Sequence, residues 1–227
     1  MAKIKNKVVF ITGGSRGIGK ATAMLFTQEG AKVVIIARNE PEIKDAVSEL
    51  EKSSMEVLGL KADVKKLKQI QEAVSKVLDK FGRIDILVNN AGIVTWKYFL
   101  KQTESDWDAE IDTNLKGILI CTKAIAPHMV KQGDGVIVNI SSGSGKYGSP
   151  QLATYCATKF AVLGFTQAFA QEVKDLGVRV YTVCPGITKT QMTNFSGIPP
   201  EKVAQRILET AKETLGLKPG EDTEIYH

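Results

Sequence analysis

Residues Val8-Val-Phe-Ile-Thr-Gly-Gly-Ser-Arg-Gly-Ile-Gly19 run from an apolar, β-branched stretch through spaced glycines into a helix-forming segment. This junction restricts the fold more than any other part of the chain. A strand that is apolar at nearly every position belongs in a parallel sheet covered on both faces. Glycines at 13, 17 and 19 permit positive φ and leave no Cβ between the backbone and an approaching anion. The helix that follows points its free N–H groups at the same place. The spacing is not the common G-x-G-x-x-G, yet it serves the same purpose. At a first strand-to-helix junction it reads as a cradle for a dinucleotide pyrophosphate, with Gly13, Ser15, Arg16, Gly17, Ile18 and Gly19 in contact. The alternative is a plain tight turn.

The rest of the chain repeats the alternation. Candidate strands are 8–12, 32–37, 56–60, 84–89, 135–140 and 178–183, with a weak seventh near 223–226. Candidate helices are 16–28, 41–52, 65–80, 104–114, 116–131, 151–174 and 201–215. Strands alternating with helices imply an α/β fold, a doubly wound parallel sheet of about seven strands with helices on both faces. No internal repeat, low-complexity stretch or Pro/Gly/Ser linker divides the chain, so residues 1–227 read as a single domain.

The end of the second strand selects the dinucleotide. An NAD site places an acid about 20 residues after the glycine turn, to hold the ribose hydroxyls. Here the strand ends Ile36-Ala37-Arg38-Asn39, without one. Arg38, helped by Arg16, suits a 2′-phosphate instead, which points to NADP(H). A solvated loop arginine is the bland alternative for Arg38.

Tyr155 and Lys159 stand four residues apart, with Ser142 thirteen positions upstream. On a helix, positions i and i+4 share a face, so phenol and ammonium project into the same space. The positive charge is expected to lower the tyrosine pKa. A hydroxyl from a separate loop could then hold a substrate oxygen against the phenol, as general acid–base catalysis requires.

Composition excludes several other classes. No apolar run approaches the roughly 18 residues of a membrane span. The apolar stretch after the basic start, Val8–Ile11, is too short for a signal-peptide core. Three cysteines at unrelated spacings argue for reduced thiols and a cytoplasmic setting. Two histidines and no Cys/His cluster argue against a metal site, and His128 on a mostly apolar helix reads as packing or surface. The net charge of +5 is spread over several helices among acidic neighbours. It suits a polyanionic cofactor better than nucleic acid.

The whole set resembles the short-chain dehydrogenase/reductase superfamily, in its single-domain branch that includes 3-oxoacyl-carrier-protein reductases and related carbonyl reductases. The matching pieces are Thr12-Gly-x-x-x-Gly-x-Gly19, Ala62-Asp63-Val64, Asn89-Asn-Ala-Gly92, Asp112-Thr-Asn114, Ser142, Tyr155-x-x-x-Lys159 and Pro185-Gly186. They keep the family's order and spacing from residue 12 to about residue 190. The resemblance implies a Rossmann-type fold. It assigns Asp63 and Val64 to adenine, and Asn90, Ala91 and Gly92 to the crevice near the ribose. Ser142 would hold the substrate oxygen and Tyr155 pass the proton, while Lys159 grips the nicotinamide ribose. Asn114 would hold a water that relays protons towards Lys159. Pro185, Gly186, Thr188 and Thr190 would fix the carboxamide. From the residues alone, Asp63 could equally be a helix cap, Asn114 a helix terminator and Ser142 a turn residue.

Two departures from the family pattern stand out. Thr188 replaces a branched aliphatic, in a contact made by backbone. The segment after the last helix, 216–227, lacks the glycine-rich tail that relatives use in subunit packing.

The expected activity is interconversion of a ketone or aldehyde with its alcohol. A cofactor-binding regulatory protein without catalysis, or an epimerase or dehydratase on the same fold, are the rivals. Segments 93–98, 143–152 and 191–198, with Trp96, Tyr98, Tyr147, Met192 and Phe195, would shape an apolar substrate pocket. Between Cys156 and Ala170 the only charged side chain is Lys159, and helix 116–131 is similarly sparse in charge. Helices apolar all round should be buried all round. A homo-oligomer, dimer or tetramer, joined through helices 116–131 and 151–174 is therefore expected. No nucleic acid or membrane partner is.

Overall fold

The computed structural model describes residues 4–53 and 55–226. Residues 1–3, 54 and 227 of the expected domain lie outside the described ones. Seven strands form one sheet: β1 (Val8–Thr12), β2 (Lys32–Ala37), β3 (Val57–Lys61), β4 (Ile86–Asn89), β5 (Gly135–Ile140), β6 (Val178–Pro185) and β7 (Asp222–Ile225). Every pairing is parallel, in the order β3-β2-β1-β4-β5-β6-β7. The order reverses between β1 and β4. A crevice opens at such a switch point, outside the carboxyl ends of the strands.

Among the described residues, the helices α1 (Gly17–Gln28), α2 (Glu40–Leu50), α3 (Leu67–Phe81), α4 (Glu104–Ile111), α5 (Gly117–Gln132), α6 (Ala153–Val173) and α7 (Pro200–Ala211) flank the sheet. Alternate residues of the strands serve opposite faces. Val9, Ile11, Val33 and Ile35 pack with Phe26 of α1, Leu50 of α2 and Ile207 of α7. Val8, Phe10, Val34 and Ile36 pack with Ile70 and Val77 of α3 and with Ile125 and Met129 of α5. Fully burying a side chain of this size contributes about 1.5–3 kcal/mol. The two cores together fix the sheet that presents the crevice. At the opposite edge, buried Asp85 accepts from Val8 N at 2.8 Å and pairs with Lys7 and Arg83.

The expected element positions hold to within a few residues except in the middle of the chain. The segments expected as two helices, 104–114 and 116–131, are one helical run. A π-helical turn, Asp112–Lys116, joins α4 to α5. Asn114 lies inside that turn, so it terminates no helix. The expected last helix 201–215 stops at Ala211.

Candidate active site

The glycine turn takes the conformation its composition anticipates. Gly13 has φ +64°, and a Cβ there would lie 3.0 Å from Ala91 Cα. A Cβ on Gly19 would come within 2.2 Å of the Gly13 carbonyl oxygen, so β1 and α1 meet closely only because that atom is missing. The first turn of α1 has no side-chain cap and no acidic residue, leaving its N–H groups free for an anion. Thr12 Oγ1 accepts from Asn90 N at 2.9 Å and Ala91 N at 3.0 Å, holding the 90–92 segment beside the turn.

A cleft of about 2250 Å³ runs from this turn across the carboxyl edge of the sheet. At its adenosine end it is lined by Gly13, Ser15, Arg16, Gly17, Ile18, Arg38, Asp63 and Val64. Its middle is lined by Asn90, Ala91, Gly92, Pro185, Gly186, Thr188 and Thr190, and Ser142, Tyr155 and Lys159 line it too. Of the sequence-derived cofactor-binding and catalytic residues, all but Gly19 and Asn114 line it. Gly19 acts through packing. Asn114 is fully buried behind Gly92; it accepts from Ile93 N at 2.8 Å and donates to Ile93 O at 2.9 Å and Thr158 Oγ1 at 3.3 Å.

The two arginines are not equivalent. Arg38 is exposed and makes no hydrogen bond or ion pair with any described residue. Arg16 is engaged: Nη1 donates to Gln191 Oε1 at 2.6 Å and lies 3.7 Å from Glu42 Oε1. Ser15 Oγ donates to the other Glu42 oxygen at 3.1 Å. Glu42, absent from the sequence reading, thus sits among the groups expected to meet a 2′-phosphate. Asp63 is not the helix cap it could have been: α3 begins at Leu67 with Lys66 at its N-cap and no side-chain cap, and the Asp63 carboxylate accepts from Lys65 N at 3.0 Å in the turn before it, while the residue lines the cleft.

At the other end, Ser142 Oγ accepts from Ser144 N at 3.1 Å, and the Ser142 side chain lies close enough to the Tyr155 phenol to favour its ionised form. Lys159 Nζ lies 5.5 Å from the Tyr155 ring centre and donates to Ile140 O at 2.9 Å. Burial pushes the Tyr155 phenol up to about 12, which Ser142 only partly offsets. The lowering expected from Lys159 is therefore not met in the chain alone: desolvation outweighs it. Tyr155 is half-buried and lines the cleft. Burial likewise brings the Lys159 ammonium down to about 8, because a single carbonyl replaces its hydration.

Trp96, Tyr147, Met192 and Phe195 line the cleft as expected, whereas Tyr98 does not. Ile187, within the segment 185–190 expected at the carboxamide, lines it too, and Tyr226 lines it unexpectedly. Tyr226 lies one residue past β7, and a seventh parallel strand must end at the same edge as the site. That direction was the available signal. Among the described residues, no group of three or more His, Cys, Asp or Glu could hold a metal ion, and no helix is long and apolar enough to cross a membrane.

A doubly wound sheet, a glycine turn opening a helix, and a Ser, Tyr and Lys set on one cleft define an oxidoreductase of the nicotinamide-dependent α/β class. The chain belongs to the short-chain dehydrogenase family, whose sequence model matches residues 7–198. It is 41% identical to a 3-oxoacyl-[acyl-carrier-protein] reductase of Thermotoga maritima, over 95% of this chain and 85% of that protein. A 3-oxoacyl-[acyl-carrier-protein] reductase of Synechocystis is 42% identical, over 88% of this chain and 81% of the relative. Among solved structures, a levodione reductase superposes with a TM-score of 0.93 at 25% identity, covering 98% of this chain and 96% of the other. The chain is a carbonyl/alcohol oxidoreductase of this family.

Proposed function

We propose that this chain is an NADP(H)-dependent carbonyl reductase, one domain over residues 1–227, acting on a 3-oxoacyl thioester or a related ketone. One observation supports it above the rest: Ser142, Tyr155 and Lys159 line the same cleft as the glycine turn. NADP(H), when bound, supplies or takes up the hydride. The free N–H groups of α1 and the backbone of 13–19 hold its pyrophosphate, and Arg38 the 2′-phosphate. Ser142 donates to the substrate oxygen, and Tyr155 delivers the proton from its phenol as carbonyl becomes alcohol. Lys159 holds the nicotinamide ribose, and its positive charge favours loss of the phenolic proton. Asn114 anchors Ile93 beside the cleft. Buried free cysteines at 121, 156 and 184 suit a reducing, cytoplasmic setting.

Arg38→Asp is expected to weaken NADPH selectively, by about 2–3 kcal/mol, through a lost charged hydrogen bond and new repulsion. Fluorescence titration of NADPH and NADH measures this. Equal affinities of the parent for the two cofactors would overturn the preference. Turnover itself is tested by screening ketones, aldehydes, quinones and acyl thioesters while following NADPH absorbance.

The functional unit is proposed to be a homodimer or homotetramer joined through helices 116–131 and 151–174. Lys159, Val162 and Thr166 face inward, whereas Ala157, Phe160, Gly164 and Ala168 on the opposite side of α6 are exposed. No helix among the described residues covers them, and Leu119 of α5 is exposed as well. Light scattering after size exclusion should give a multiple of 24.7 kDa. A monomer at micromolar concentration would refute the assembly. Gly164→Glu should dissociate it, since a side chain at 164 meets nothing within the protomer.

A further inference from the structure

Glu110, near the end of α4, is fully buried and makes no ion pair with any described residue. One carboxylate oxygen accepts the Thr95 N–H, and the other has no partner. Burial pushes its carboxyl up, and Asp106, one turn earlier, adds to this. A carboxylate placed this way costs free energy that an apolar side chain would avoid.

Its single contact belongs to a pattern. Ile93 is held on both backbone groups by Asn114, at 2.8 and 2.9 Å. Thr95 is held by Glu110. Lys97 donates its backbone N–H to Gln151 O at 3.1 Å and its ammonium to Asp106 at 2.7 Å. Alternate residues are thus pinned to the 104–114 helical run and to the loop before α6. The residues between them, Val94 and Trp96, line the cleft, and Trp96 Nε1 reaches across to Met192 O at 3.2 Å. Removing the middle pin would free the wall at the point where Val94 and Trp96 are offered.

We propose that Glu110 is a positioning residue, which as a hydrogen-bond acceptor for the Thr95 amide sets the substrate-side wall formed by Val94 and Trp96. The proposal rests on the carbonyl-reductase function above in taking this end of the cleft as the substrate's. Accepting a hydrogen bond requires a side-chain oxygen rather than a charge, so glutamine can replace Glu110 and leucine, of similar volume, cannot.

Hydrogen exchange read by mass spectrometry on the intact protein tests this without a substrate. Glu110→Leu should speed exchange across 93–98 roughly tenfold while β5 and β6 are unchanged, and Glu110→Gln should restore parental protection. With acetoacetyl-CoA as probe, Glu110→Leu should raise KM roughly tenfold and leave NADPH affinity in place, and Gln should again rescue. Unaltered exchange in the leucine variant, or equal loosening in both variants, would overturn the proposal. If the parent does not turn over acetoacetyl-CoA, that counts against the proposed substrate, and the exchange result alone decides the role of Glu110.

Discussion

Tyr155→Phe is expected to lower turnover by roughly 10²–10⁴-fold while NADPH binding and thermal stability stay near parental values. The substitution removes one oxygen from a half-buried ring and leaves the packing of α6 intact. The lost atom is the acidic oxygen of a residue that lines the cleft beside Ser142. Ser142 cannot take over the role, because its hydroxyl ionises far too weakly to deliver the proton. In the alcohol-oxidising direction the phenol must first be free of its proton. Burial holds the phenol up at about 12, so the parental oxidation rate should rise with pH across the neutral to alkaline range. The phenylalanine variant should lack that rise. Steady-state rates with a substrate from the carbonyl screen, alongside NADPH titration, measure both. Near-parental turnover in Tyr155→Phe would sink the acid–base role.

The parts legible in the sequence share a property: each is local. The glycine turn, the apolar strands and the Tyr155/Lys159 spacing express constraints a short stretch imposes on itself, through φ, strand burial and helical period. That is why β1, α1 and the sheet of seven parallel strands were recoverable from residue type alone. What was not legible depends on partners distant in sequence. Arg16 looked free beside Arg38, but Gln191 approaches it from the far side of the chain. Glu42 carries no local mark of a site residue; only the fold brings Ser15 and Arg16 within its reach. The π turn has no compositional mark, yet it seats Asn114 inside a continuous helical run. Glu110 gave no sign either, since an acid in a candidate helix reads as solvated until its burial is seen. The tyrosine shift was misjudged for the same reason: the charge of Lys159 is written in the sequence, but the desolvation that outweighs it is a property of the packed site.

Lys159→Met should separate function from stability. Turnover should fall at least as far as in Tyr155→Phe, roughly 10²–10⁴-fold, and NADPH affinity should fall with it, because one ammonium serves both ribose and phenol. Stability of the cofactor-free chain should move the other way. Lys159 is almost wholly buried, the Ile140 carbonyl is the one hydrogen-bond partner of its ammonium among the described residues, and its pKa is brought down from 10.5 to about 8. At roughly 1.4 kcal/mol per pKa unit, the ammonium costs the folded chain about 3 kcal/mol at neutral pH. Below pH 8 both folded and unfolded chains carry the proton, so the cost is fully present. Between about 8 and 10.5 the unfolded chain still binds the proton and the folded chain does not, so parental stability rises with pH. Methionine keeps the stem's packing and removes the charge, so it should match or exceed the parent in urea midpoint at pH 7. The difference between the two should shrink as pH climbs towards 10.5. A variant clearly less stable than the parent at pH 7, or a gap that widens with pH, would mean that Lys159 is satisfied in the folded chain and that its site is not held under strain for the cofactor.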